Sequence, residues 1–275
     1  MALARWYSIR ETVYFLSHSF LVITMRAAQL FFLALLFMFP VPTLEGQEAT
    51  ATSAAPAKPA AGEQVEQQFV SKKNPQAKLG YLLYLPDNFD KQEAPVLLFL
   101  HGSGERGIDN LAAVKKHGPP RIVENKSLPF LLVSPQCPTD QRWDAAVLSE
   151  LLDEIVDRYH ADKNRIYLTG LSMGGSGTWS LAASEPDKFA AIAPLCGRTE
   201  LTNAKKVAGL PAWVFCGAKD RQETVQNAKD MAAAITDAGG QAKLTIYPDL
   251  PQDCWTVTYD NPEFYTWLLS HQKSP

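Results

Sequence analysis

Cysteine and histidine are scarce: four of one and five of the other in 275 residues. Four cysteines are too few for a disulfide-dense mini-scaffold. None is spaced as C-x-x-C, which speaks against a zinc ribbon or finger. Neither sign of charge dominates, with 26 basic against 29 acidic side chains and a net charge of −3. An overall pull towards nucleic acid is therefore not expected. The 16 glycines and 19 prolines exclude a collagen-like repeat. What is present is an ordinary globular balance, 46% hydrophobic and 20% charged. The length suits one large domain or two small ones.

The first residues read as an address. Residues 27–39 form an uncharged, mostly apolar run centred on Leu30, Phe31, Phe32, Leu33, Leu35, Leu36 and Phe37. Arg26 precedes it, and Thr43, Gly46 and Gln47 follow. That order matches a secretory signal peptide, assigned to residues 1–46. The run is shorter than the ~20 apolar residues that span a bilayer. Met25 is an alternative start, and an uncleaved signal anchor using Phe20 to Ile23 is the alternative fate. Residues 47–64, rich in Ala, Pro and Thr, read as a linker. The expectation is an exported chain, periplasmic or secreted, with no stable membrane span after cleavage and a folded domain over 65–275.

From Val65 onward strand-like and helix-like segments alternate. Short apolar runs at 80–85, 96–100, 130–133, 166–169, 189–193, 212–215 and 244–247 are bounded by Gly, Pro or Asp. Strands covered on both faces read this way. Between them, Val147, Leu151, Ile155 and Tyr159 recur every four residues behind Asp144, a suitable N-cap. Residues 225–238 form a second helix, stopped by Gly239-Gly240, and 262–270 a third. The fold class is α/β, with a mostly parallel sheet and helices on both faces.

One local signal carries chemistry. Gly170-Leu171-Ser172-Met173-Gly174 stands between the strand at 166–169 and a helical stretch at 175–184. G-x-S-x-G between strand and helix is a nucleophile elbow, with Ser172 pushed out above the sheet and the Met173 N–H offered to a developing oxyanion. The alternative is a glycine-rich turn with a chance serine. The strand at 96–100 runs into His101-Gly102-Ser103-Gly104-Glu105-Arg106-Gly107. A glycine-rich loop there supplies the second oxyanion donor, from Ser103 or Gly104. A phosphate loop does not fit, because no Lys-Ser/Thr pair follows.

These motifs, with Ser-Pro-Gln-Cys-Pro at 134–138, Ala-Pro-Leu-Cys-Gly at 193–197 and Gly-Ala-Lys-Asp at 217–220, resemble bacterial α/β-hydrolases. The group is the phospholipase/carboxylesterase one, related to dienelactone hydrolase and the prolyl oligopeptidase catalytic domain. The resemblance covers roughly residues 65–269. It implies esterase-type acyl transfer on carboxylic esters, as small-molecule substrates, through a Ser–Asp–His triad, with no cofactor and no metal. Asp220 matches the acid. The family reads Tyr-Pro-x-x-Gly-His-Asp-x-Trp-Thr where this chain has Tyr247-Pro248-Asp249-Leu250-Pro251-Gln252-Asp253-Cys254-Trp255-Thr256. Gln252 thus takes the position of the general base. An amide donates and accepts hydrogen bonds but does not take up the serine proton. His101, His117 and His271 are the candidate substitutes, and Asp253 is a weak one.

The family usually has His-Gly where this chain has Cys216-Gly217, and a small residue at Cys254. Cys216 and Cys254 are a candidate disulfide across the vacated site, two buried free thiols being the alternative. Trp143, from its loop position, is a candidate substrate contact. Two readings remain: a serine hydrolase of carboxylic esters, or a catalytically impaired relative that binds an ester-like ligand.

Overall fold

The structure, a computed structural model, describes residues 59–273. The expected signal peptide and most of the expected linker lie outside the described residues. Eight strands form one sheet: β1 (Gln64–Val70), β2 (Lys78–Tyr84), β3 (Val96–Leu100), β4 (Leu131–Pro135), β5 (Ile166–Leu171), β6 (Ala191–Leu195), β7 (Ala212–Gly217) and β8 (Ala242–Tyr247). Their spatial order is β1-β2-β4-β3-β5-β6-β7-β8. β2 runs antiparallel to β1 and to β4, and every other pairing is parallel. The α-helices are α1 (Gly118–Ile122), α2 (Ala145–Tyr159), α3 (Met173–Ser184), α4 (Ala204–Val207), α5 (Gln222–Asp237), α6 (Trp255–Asp260) and α7 (Pro262–Leu269). No helix among the described residues is long and apolar enough to cross a membrane.

The period-two alternation of a strand assigns its side chains to two faces. In β3, Val96, Leu98 and Leu100 enter the core under α2, α3, α4 and α5. Leu97 and Phe99 enter the opposite core under α1, α6 and α7. Both faces are apolar, so the central strands read as uninterrupted hydrophobic runs. Asp144 caps α2 as its spacing predicts, accepting from the N–H groups of Ala146 and Val147 at 2.8 and 3.2 Å. Leu148, Leu151, Leu152, Ile155 and Val156 of that helix are buried, each worth roughly 1.5–3 kcal/mol on removal from water.

Four elements depart from the sequence reading: β1 and the short helices α1, α4 and α6. β1 pairs with β2 over its full length, from Gln64 against Tyr84 to Val70 against Lys78. Only Gln67 and Phe69 of it are buried, so its sequence carries little strand signal. The three helices have five, four and six residues, too short to show a helical period.

Candidate active site

β5 ends at Leu171, and α3 begins two residues later at Met173. The chain can reverse so abruptly only because Ser172 takes φ 53° and ψ −112°. A positive φ costs a non-glycine residue of order 1–3 kcal/mol and persists where its surroundings hold it. Two hydrogen bonds do so: Ser172 N–H to Leu195 O at 2.8 Å and Ser176 N–H to Ser172 O at 3.1 Å. The flanking glycines are required by space. A Cβ on Gly174 would lie 1.8 Å from Leu100 O, and one on Gly170 would lie 2.5 Å from Gly174 O.

Ser172 opens into a cleft of about 460 Å³ with Ser103, Met173, Ser176 and Cys196 in its wall. Of the expected oxyanion donors, Ser103 and Met173 therefore share the cleft with the serine. Gly104 is not among the lining residues. The remaining wall is charged: Arg106, Arg142, Arg198, Arg221 and Asp140. Sequence reasoning passed over these arginines, although a signal was there. Arg106, Arg142, Arg198 and Arg221 follow the carboxyl ends of β3, β4, β6 and β7, the sheet edge where α/β proteins bind ligands.

Gln252 reaches the serine. Its Nε2 donates to Ser172 Oγ at 3.0 Å. The loop that carries Gln252 packs on the turn that carries Asp220: Ala218 N–H donates to Tyr247 O at 2.8 Å and Lys219 N–H to Leu250 O at 2.9 Å. Gly217 permits this approach, since a Cβ there would lie 1.9 Å from Pro251 O. Asp220 Oδ1 accepts from the Arg221 N–H at 2.6 Å. Its Oδ2 is buried with no hydrogen-bond partner among the described residues.

The candidate substitute bases are otherwise engaged. His101 is fully buried; its Nδ1 lies 2.6 Å from Gly102 O, and its Nε2 accepts from the Cys137 N–H at 3.0 Å. That pair fixes the neutral tautomer with the proton on Nδ1. Burial lowers the His101 pKa to about 4, with the Gly102 carbonyl opposing that fall. His117 places Nε2 3.6 Å from Glu105 Oε1 and packs its ring edge-to-face on Trp255. His271 belongs to the opposite end of β5, where its carbonyl accepts from the Tyr167 hydroxyl. At ~3.3 Å per residue the five steps from Tyr167 to Ser172 span roughly 16 Å. Asp253 Oδ1 is occupied by the hydroxyl and N–H of Thr256, at 3.0 and 3.4 Å.

Two expectations are corrected. Trp143 does not line the cleft of Ser172. Its Nε1 donates to His101 O at 3.2 Å, and its ring faces a different cleft with Asn74, Lys78 and Leu148. The loop after β4 turns it under the oxyanion-side strand end, against Gly177 of α3. In place of a Cys216–Cys254 bridge there are four free, buried thiols. The Sγ beside Cys254 is that of Cys196, at 3.0 Å. Cys196 leaves β6 with φ 51°, which turns it towards the Gln252 loop, and its Sγ also donates to Gln252 O at 3.0 Å. A hydrogen bond from Cys216 favours the Cys196 thiolate, but the one with Cys254, together with burial, pushes the thiol up. The hydrogen bond with Cys196 and then burial push Cys216 up too. Cys196, Cys216 and Asp220 hold their ligand atoms within 4.8 Å of one another, the donor set that could take a metal ion.

The eight-stranded, mostly parallel sheet with a strained serine between strand and helix defines an α/β-hydrolase. The chain belongs to the esterase family, whose model, described as "Putative esterase", matches residues 73–250. Among curated proteins it is similar to the bifunctional acetylxylan esterase/xylanase XynS20E of Neocallimastix patriciarum, 25% identical over 192 residues. The match takes in 67% of this chain but 27% of that protein. Among solved structures it is similar to a thermostable esterase, 28% identical with a TM-score of 0.63, over 76% of this chain and 63% of that one. The S-formylglutathione hydrolase of Agrobacterium tumefaciens, 14% identical, shares the fold with a TM-score of 0.60 over 76% of this chain and 95% of its own.

Proposed function

We propose that this chain is an exported esterase-type protein. Its Ser172 cleft binds carboxylic esters, with Ser172 at the nucleophile position and Met173 and Ser103 supplying the oxyanion donors. Gln252 holds the position of the general base, and turnover is slow at best. The observation that carries this reading is the 3.0 Å hydrogen bond from Gln252 Nε2 to Ser172 Oγ. An N–H that donates into the oxygen draws electron density from the attacking atom. The reversed amide would present a carbonyl to the hydroxyl, and neither end takes up the serine proton near neutral pH. The buried, partnerless Asp220 Oδ2 supports the same reading. A carboxylate oxygen waits beside the Gln252 loop for a donor that an imidazole N–H would supply and this amide, turned to Ser172, does not. The acetylxylan esterase among the relatives makes short acyl esters the first to test.

The test is hydrolysis of p-nitrophenyl acetate by the chain and two variants. Loss of the base in a triad costs on the order of 10⁶ in turnover, while the oxyanion hole and binding retain ~10³–10⁴ over water. Gln252→His should raise turnover by at least about a thousandfold, and Ser172→Ala in that background should remove the gain. Brisk turnover in the parent that Ser172→Ala abolishes and Gln252→His leaves unchanged would overturn the proposal.

A further inference from the structure

Seven arginines lie among the described residues. Three are committed to the fold. Arg121 pairs with Asp260 and Arg165 with Asp162, while Arg158 packs on the Tyr159 ring. The other four, Arg106, Arg142, Arg198 and Arg221, line the cleft of Ser172. Only Arg106 is tied down there, through Ser103 O at 3.1 Å and Gln141 O at 3.2 Å. Among the described residues no hydrogen bond or ion pair engages the guanidinium of Arg142, Arg198 or Arg221. No lysine and no glutamate share the cleft, and Asp140 is its one acidic side chain.

This segregation is not what an acid-leaning surface produces by chance, for the chain carries a net charge of −3. In the sheet order, Arg142 and Arg106 follow β4 and β3 on one side of Ser172, and Arg198 and Arg221 follow β6 and β7 on the other. Unpaired like charges gathered around a cleft repel one another and lower the stability of the fold, a cost that a bound anion would relieve. The choice of side chain narrows the anion. A guanidinium is a planar fork that meets the oxygens of a carboxylate or phosphate two at a time, where an ammonium offers a point charge.

We infer that the Ser172 cleft takes acidic esters, molecules whose acyl or alcohol portion carries an ionised carboxylate or phosphate group gripped by Arg142, Arg198 and Arg221. This rests on the reading of Ser172 as the centre of an ester site and names the substrate class for it.

The test is calorimetric binding to the full chain, which requires no turnover. Monomethyl succinate supplies a carboxylate ester, 2-acetoxyethyl phosphate a phosphate ester, and methyl butyrate the neutral counterpart. At low salt at least one acidic ester should bind about tenfold or more tightly than methyl butyrate, and the preference should shrink at high salt. The stronger of the two identifies the acid. The double variant Arg142→Ala/Arg198→Ala should erase the preference. Lys205→Ala/Lys206→Ala, with the same charge removed from α4, should keep it. Equal binding of acidic and neutral esters, or equal loss in both double variants, overturns the inference. Its fate is separable from that of the hydrolase reading. If Gln252→His fails to hydrolyse p-nitrophenyl acetate while the arginine-dependent preference persists, the hydrolase reading falls and the acidic-ligand site stands. If Gln252→His is active and shows no acid preference, the reverse holds.

Discussion

His101 shows how a residue that looks chemical can be structural. Its Nδ1 proton is spent on Gly102 O and its Nε2 lone pair on the Cys137 N–H. Protonation would set two N–H groups against each other at Nε2, inside a core. The consequence is a pH-dependent stability whose sign is fixed. The folded pKa is lowered from 6.5 to about 4, so the unfolded chain takes up this proton first. The contribution is complete above pH 6.5 and is lost as pH falls towards 4, on the order of 3 kcal/mol in all. Urea unfolding of the chain and of His101→Gln across that window should give curves whose separation narrows by about this amount on acidification. A constant separation would mean that His101 titrates as in water. At this scale much of the site was legible. Ser172 and Gln252 meet as the motif order implies, because a turn after β5 and a turn after β8 open on the same sheet edge. Cys254's neighbour was not legible, since strand adjacency pointed to Cys216. The left-handed turn at Cys196 has no sequence signature, for a positive φ at a non-glycine residue is set by the packing around it.

At the scale of the element, the β5–turn–α3 unit is tightly specified by its glycines. Gly170, Gly174 and Gly175 pack where any Cβ would strike backbone: a Cβ on Gly175 would stand 2.4 Å from Leu195 O, beside the 1.8 Å approach of Gly174 to Leu100 O. Backbone cannot swing aside as a side chain can, so β3 or α3 would have to move. Gly174→Ala should destabilise the fold by on the order of 4 kcal/mol, in the range reserved for backbone strain and overpacking. Gly104→Ala, whose Cβ would meet nothing within 4 Å, should stay within about 0.5 kcal/mol. Thermal melts of the two variants beside the parent decide this, and equal shifts would mean that the elbow relaxes. The sequence reading found this unit because glycine spacing, strand and helix agree there. It found α2 and α5 for the same reason of agreement. It missed α6, whose six residues depend on tertiary contacts, with Thr258 and Tyr259 buried, more than on any local pattern.

For the molecule as a whole, the sheet is the frame, and its first edge is the part least visible in the sequence. β1 hydrogen-bonds along the whole of β2 and inserts Phe69 into the core beside Leu79, Tyr81 and Leu83. The fold reaches back a little further: Pro59 is buried, and Gly62, at φ 82°, donates its N–H to Leu85 O at 2.8 Å. The described residues, 59–273, belong to one compact unit. A chain starting at Ala54 should therefore unfold in a single transition. A chain starting at Lys72 loses seven ladder pairs and the Phe69 side chain, which by itself is worth about 3–5 kcal/mol when deleted from a core. It should melt far lower and expose the edge of β2 to pairing with other chains. Calorimetry and light scattering on the two fragments separate the cases. A 72–275 fragment as stable as the 54–275 one would make β1 an ornament on the sheet. A large deficit makes it the strand that closes the core, and the antiparallel hairpin it forms with β2 then holds β4 and β3 in the register that sets Arg142 and Arg106 beside Ser172.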